Sequence, residues 1–207
     1  MTTPIDFGQQ IAALVPASPT TGQRFVIAIA GPPAAGKSTV AEALATELGS
    51  RAGKLPMDGF HFDNAILDER GHRAHKGAPH TFDVAGYQQV LRTARNELEV
   101  EIAVPIFDRT LDLSRGSASI LRADQDVVVT EGNYLLLDEY PWRGLRESFD
   151  LTVWLDVPLE TIEERILNRW ASFGLSPTDA SERAQQNDLP NAILVQERSA
   201  NAEVTLT

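Results

Sequence analysis

Cysteine is absent from the 207 residues. Neither a disulfide framework nor a thiolate metal site can form, and a reducing compartment, the cytoplasm, is the expected home. Basic residues are scarce. The 18 Lys and Arg stand against 29 Asp and Glu, a formal net charge of -11. That sign opposes the phosphate backbone of DNA or RNA, so no nucleic-acid partner is expected. No apolar run approaches membrane-spanning length, so membrane insertion is not expected either. The opening stretch MTTPIDFGQQIAALVP carries an Asp and no basic residue before a short apolar run. It fits a short surface helix better than a signal peptide. No internal repeat, low-complexity segment or second-domain boundary is visible, so residues 1–207 are expected to form one α/β domain. The oligomeric state is left open, a homodimer included. Also missing are an N-K-x-D guanine-reading motif, an ABC signature and a helicase motif series. Switches and motors are thereby disfavoured.

What the sequence does have is GPPAAGKST at residues 31–39, the pattern G-x-x-x-x-G-K-[ST] filled by Gly31, Gly36, Lys37 and Ser38. An apolar run at 24–30 precedes it, rich in strand formers as a buried parallel strand should be. A segment with helical spacing and a Gly stop, 38–49, follows it. Strand, loop and helix in that order form a phosphate site, with backbone N–H groups and a helix N-terminus facing the anion. Pro32 and Pro33 have no N–H to donate, so the donors are expected from about Ala35 to Thr39, with Ala34 lining the loop. Lys37 is expected at the outer phosphates of ATP and the Ser38 hydroxyl on Mg²⁺. The plain alternative is a Gly-rich turn that binds nothing.

Further strand signals fall at about 53–57, about 100–106, 126–130 and 151–155, separated by helical patterns at 63–69, 84–98 and 158–172. Such alternation predicts an α/β fold with a P-loop-type parallel sheet and crossover helices. Between residues 107 and 126 the pattern changes, and turn residues around Arg115-Gly116 predict a hairpin at the sheet edge. The segment 175–198 reads as helical with a break near Asp188-Leu189-Pro190, and Val204-Thr205-Leu206 as an added edge strand.

Two acids follow apolar strands: Asp58 in KLPMDGFHF and Glu131 in DVVVTEGNY. Ligands of open parallel sheets bind beyond the carboxyl ends of the strands, so both should face the phosphate loop. Glu131, at the end of a buried strand, suits the metal. Asp58 suits an acceptor hydroxyl as general base or orienting acceptor. The two roles are exchangeable on sequence alone, and either acid also reads as a cap or turn residue. Cations gather in two places. ERGHRAHKGAPH, residues 69–80, holds Arg70, Arg73, Lys76, His72, His75 and His80, with His61 close upstream. A mobile segment meeting an anionic or polyhydroxyl substrate is favoured over a solvated loop or a zinc site. Arg165 and Arg169 lie four apart on a helical pattern and share a face. They read as a lid closing over a transferring phosphoryl group, or with Glu163 and Glu164 as surface ion pairs. What remains after these exclusions is a kinase for a small molecule.

GPPAAGKST, MDGFHFDN, VPIFDRTLD, VVVTEGNYLLL and ERILNRW, in this order, resemble the phosphoribulokinase, uridine kinase and pantothenate kinase family of P-loop kinases. Within it, HKGAPHTFD and NDLPNA are similar to runs in proteins provisionally assigned as fructose transport system kinases. The resemblance implies an acceptor-activating Asp at Asp58, a Walker-B-like acid at Glu131, lid arginines at Arg165 and Arg169, and substrate contacts from Pro105 to Arg109. The aromatic-plus-His pair that nucleoside and pantothenate kinases carry near that segment is replaced by Phe107-Asp108-Arg109. A sugar therefore ranks above a nucleoside or pantothenate as acceptor. Asp108 is placed to accept from sugar hydroxyls and Arg109 to meet a phosphate or carboxylate, unless the two form an internal ion pair. A nucleotide-binding regulator of a transport system, with little turnover, is the reading from another class.

Overall fold

The structure, a computed structural model, describes residues 3–18 and 22–207. Among them the strands are β1 (Phe25–Ala30), β2 (Ala52–Lys54), β3 (Ile102–Asp108), β4 (Leu113–Leu121), β5 (Val127–Gly132), β6 (Leu151–Leu155) and β7 (Val204–Leu206). The α-helices are α1 (Pro4–Ala12), α2 (Lys37–Leu48), α3 (Asn64–Glu69), α4 (Val84–Asn96), α5 (Leu159–Ser172), α6 (Pro177–Arg183) and α7 (Leu189–Arg198). Five strands form one parallel sheet in the order β2-β5-β1-β6-β7, and β3 and β4 form a separate antiparallel pair.

Strand period two sorts the core into two layers. Val26, Ala28 and Val128 face the layer built on Tyr87 and Leu91 of α4. Ile27, Ile29, Val127 and Val129 face Val40 and Leu44 of α2 and Ile162 and Ile166 of α5. The same parity aims Glu131, two residues beyond Val129, at the α2 side of the sheet. Sheet pairing thereby decides where one candidate acid points.

Four sequence expectations shift. β2 is shorter and earlier than 53–57: after Leu55 N–H reaches Val129 O (3.0 Å), Pro56 has no donor, and the chain turns into a 3₁₀ segment, Met57–Phe60. Gly59 in that segment is no flexible joint. A Cβ there would sit 2.3 Å from Pro105 O, so the glycine exists to let the β3–β4 pair approach. The run 100–106 is not a strand of the main sheet but enters β3, where Ile102 and Val104 are buried and Ala103 is exposed. The hairpin is present, but its turn lies at 109–112. Asp108 Oδ1 accepts from the N–H groups of Thr110 (3.0 Å) and Leu111 (3.1 Å), an Asx turn. Arg115 and Gly116 lie inside β4, where the register slips and Ser117 takes a φ of 52°, a bulge that reads as a turn in sequence. Finally, 177–198 does not break. A five-residue π segment, Ala184–Asp188, joins α6 to α7 and sets Pro190 in the first turn of α7, where its missing N–H does no harm.

Arg24 immediately precedes β1 and is 1% exposed. Its guanidinium donates to the carbonyl oxygens of Gln125 (2.6 Å), Ala94 (2.8 Å), Glu97 (2.5 Å), Leu98 (3.3 Å) and Arg122 (3.2 Å). It ties the C-terminus of α4 to the loop before β5, where a helix offers unpaired carbonyls. Arg24→Met fills the space and strands those acceptors. It is expected to lower unfolding free energy by about 3–5 kcal/mol, read as a drop in the urea midpoint. A loss below ~1 kcal/mol would mean that water replaces the guanidinium at no penalty.

Candidate active site

β1 ends at Ala30 and the loop swings under β6. A Cβ on Gly31 would lie 3.0 Å from Leu155 O, so only glycine leaves the strand there. Gly36 takes a φ of 98° and caps α2. The N–H groups of Lys37, Ser38 and Thr39 open the helix and have no acceptor within it. They face a cavity of about 300 Å³ that Ala34, Gly36 and Lys37 also line. Ala35 serves differently. Its N–H closes on Pro32 O (3.2 Å), and its carbonyl, with that of Ala34, accepts from Arg165 Nη1 at 3.3 Å. The Lys37 ammonium donates to Pro32 O at 2.7 Å. Burial pulls its pKa down to about 8, while Glu131 and Asp58 oppose that shift.

Ser38 Oγ donates to Glu131 Oε1 at 3.0 Å. Burial and then Asp58 push the Glu131 pKa up, against Lys37 and Ser38. An all-oxygen pair at a helix N-terminus suits a hard divalent cation such as Mg²⁺, which keeps several waters and takes phosphate oxygens. Loop, lysine and helix start likewise fit a polyphosphate. Among the described residues no group of three or more His, Asp or Glu is arranged to hold a metal.

Asp58 stands between two spaces. It lines the phosphate cavity and a second cavity of about 420 Å³. Arg109, Asn133 and Arg169 line both as well. Glu131 lines only the first. Arg109 Nη2 reaches Asp58 Oδ2 at 3.4 Å. Arg169, from α5, donates Nη2 to Asp188 Oδ1 at 2.9 Å, and the neighbouring Trp170 Nε1 donates to Asp188 Oδ2 at 2.7 Å. One carboxylate in the π segment thus fixes two consecutive side chains of α5.

The larger cavity has an aromatic wall. His61 packs between Phe82 (4.0 Å) and Phe107 (4.6 Å between ring centroids). Its Nδ1 lies 2.8 Å from Asp58 O, a carbonyl, so Nδ1 is the donor and Nε2 is left as acceptor in the neutral ring. Burial lowers the His61 pKa, which favours that neutral form. Lys76 is nearly buried, donates to Asn64 Oδ1 (2.6 Å) and lies over the Phe107 ring at 5.0 Å. Gly77 lines the same cavity, and the other side chains of segment 69–80 stay away. Arg73 pairs with Asp112 at 3.2 Å, and His72 packs on His80 with centroids 4.5 Å apart. None of the three lines either cavity. Nor does Asp108, whose carboxylate is used by the turn and by Arg115 at 3.5 Å. Asn133, Asn187, Asp188 and Asn191 line the larger cavity, and their only signals in the sequence are the VVVTEGNYLLL run for Asn133 and the NDLPNA run for the others. Asn187 Nδ2 donates to Lys76 O (2.9 Å), and Asn191 Nδ2 to Asn187 Oδ1 (3.1 Å).

The chain is similar to known proteins along most of its length. The profile of the phosphoribulokinase/uridine kinase family matches residues 26–172. YggC of Escherichia coli K12 is 34% identical over 95% of this chain and 83% of its own length. A Schizosaccharomyces pombe protein provisionally named a uridine kinase is 30% identical over 89% and 83%. A crystal structure from Silicibacter sp. TM1040, provisionally a fructose transport system kinase, superposes with a TM-score of 0.89 at 34% identity over 100% of both chains.

Proposed function

The chain belongs to the phosphoribulokinase/uridine kinase family of ATP-using P-loop kinases, and on that premise we propose that it moves the γ-phosphoryl group of Mg·ATP to a hydroxyl of a small polyhydroxylated metabolite, first among them a sugar such as fructose. The observation that carries this reading is the shared wall. A phosphate cavity and a second cavity meet at Asp58, Arg109, Asn133 and Arg169, where a donor phosphate and an acceptor hydroxyl face each other.

The residues divide the work as follows. The N–H groups at the start of α2 and the Lys37 ammonium hold the outer phosphates. Mg²⁺ held by Ser38 and Glu131 would neutralise charge on those phosphates. The Asp58 carboxylate orients the acceptor O–H and takes its proton as the new O–P bond forms and the bond to ADP breaks. Arg169 meets the charge that spreads over the transferring group. Arg165 acts at one remove, tying α5 to the loop through the carbonyls of Ala34 and Ala35. The His61–Phe107 wall suits the apolar face of a sugar ring, and the amides of Asn133, Asn187 and Asn191 suit its hydroxyls.

A coupled ADP-release assay over sugars, nucleosides and pantothenate tests the proposal. Stimulation by a sugar upholds it. Stimulation by a nucleoside or pantothenate moves the acceptor class. Stimulation by none, with tight ATP binding kept, favours a regulatory nucleotide binder.

Asp188 earns a second test, because it accepts from Arg169 at 2.9 Å and can act on the reaction through it. Arg169→Ala is expected to lower kcat about 30-fold while Mg·ATP affinity changes little. Asp188→Asn removes the charge on the shared acceptor and is expected to lower kcat about fivefold. The double variant should be no slower than Arg169→Ala, the signature of two residues acting in one line. Additive losses in kcat would show that Asp188 acts by another route.

A further inference from the structure

The larger cavity is unevenly charged. Its carboxylates are Asp58, Asp112 and Asp188, and each has a cation from the same wall as partner. Asp58 meets Arg109 at 3.4 Å, Asp112 meets Lys76 at 3.2 Å, and Asp188 meets Arg169 at 2.9 Å. One lining cation is left over. Arg183, at the end of α6, has no carboxylate within ion-pair distance among the described residues. Its side chain is exposed but held in place. Its guanidinium carbon lies 4.3 Å from the centroid of the Trp170 ring, and that ring is pinned by Asp188 through Nε1. Stacking fixes one face of the guanidinium and leaves its N–H edges free to make a forked pair of hydrogen bonds. Arg183 lines the larger cavity only, whereas Asp58 and Arg169 also line the phosphate cavity. The spare charge therefore lies on the acceptor side, away from the phosphate loop. In a chain whose net charge is -11, such a local excess concentrates a small anion that the rest of the surface repels.

We propose that Arg183 reads an anionic group on the acceptor: the substrate is a polyhydroxylated metabolite carrying a carboxylate or a phosphate, and the free N–H edge of Arg183 binds that group while a hydroxyl elsewhere on the molecule faces Asp58. This rests on the kinase reading above and narrows it from sugars in general to sugar acids or sugar phosphates. Carboxylate and phosphate both match the guanidinium fork, so the chemistry alone does not choose between them.

The test compares neutral and charged partners: glucose with gluconate and glucose 6-phosphate, and fructose with fructose 6-phosphate. ADP release is followed in the parent, Arg183→Gln and Arg183→Lys. The expected result is that a charged member has the lower KM. Arg183→Gln should raise that KM at least tenfold with a much smaller change in kcat, and Arg183→Lys should recover part of it. Whether gluconate or the phosphates respond identifies the group. Binding of gluconate and glucose 6-phosphate to the protein loaded with Mg²⁺ and a non-hydrolysable ATP analogue is measured in parallel. Anion binding that Arg183→Gln abolishes upholds the proposal even if nothing turns over, in which case the kinase reading alone falls. Preference for the neutral sugars, a KM indifferent to Arg183→Gln, or neither binding nor turnover of any charged compound overturns it.

Discussion

Lys37→Ala is expected to lose phosphoryl transfer by about 10²–10³-fold and to keep its fold. The two halves of that result have separate causes. The ammonium is the only side-chain cation that lines the loop cavity from α2 itself, so no neighbour on the helix replaces it at the outer phosphates. Its removal leaves no buried acceptor stranded, because Pro32 O still receives the N–H of Ala35 at 3.2 Å. A buried cation is relieved while the buried Glu131 loses a counter-charge, so the melting temperature should change little. The pH dependence checks the assignment independently. Burial brings the Lys37 pKa down to about 8, so the cation prevails at pH 7 and the neutral amine well above that value. Phosphate binding favours the cation, so binding at high pH must take up a proton. The Kd for Mg·ATP should rise about tenfold between pH 7 and pH 9 in the parent, and that step should be missing in Lys37→Ala. Near-normal turnover in the variant would remove the phosphate-loop assignment.

Much of this site is legible in the sequence because it is built from local pieces. Strand, glycine loop and helix adjoin in the chain, so residues 24–49 carry their own geometry. Glu131 is legible for a related reason: it ends an apolar strand, and parallel sheets present strand ends on one side. The errors fall where distant parts of the chain decide the outcome. An apolar run such as 102–106 has the same composition whether it pairs in the main sheet or in a hairpin. Only the exposure of Ala103 between Ile102 and Val104 separates the two. Nothing local in the sequence shows that Gly59 lies against Pro105. Asp188 and Asn187 are the clearest case. They sit in what reads as a helix break, and their partners, Arg169, Trp170 and the Lys76 carbonyl, are 18 to 111 residues away in the chain. A π segment aims them at the cavity by shifting the helical phase, and no local composition announces that shift. Composition also misleads about segment 69–80, which has the density of histidines and cations expected of a site. The fold uses most of it for contacts among the segment's own side chains and with Asp112, and sends only Lys76 and Gly77 into the larger cavity.

The two acids, whose roles are exchangeable in the sequence, occupy different places, and a pair of variants tests which role each has. Asp58 borders both cavities and bonds no residue of the phosphate loop, whereas Glu131 accepts from Ser38 and borders the phosphate cavity alone. A carboxylate that serves the acceptor is needed only when the hydroxyl attacks. Asp58→Asn keeps the size and the turn and removes the charge. It is expected to fold, to bind Mg·ATP within about threefold of the parent, and to phosphorylate its acceptor about 10²-fold or more slowly, the scale of a lost general base. The Arg109 contact does not complicate the comparison, since at 3.4 Å and on an exposed side chain it contributes little to stability. Glu131→Gln should fail differently. Its amide is a weaker ligand for a hard cation, so activity should be recovered in part by raising Mg²⁺, with the half-saturating concentration shifted upward by about tenfold or more. Titrating Mg²⁺ against kcat for both variants reads the two roles in one experiment. A shifted Mg²⁺ requirement in Asp58→Asn with none in Glu131→Gln would exchange the assignments. Full activity in both would make the acids structural and end the proposed mechanism.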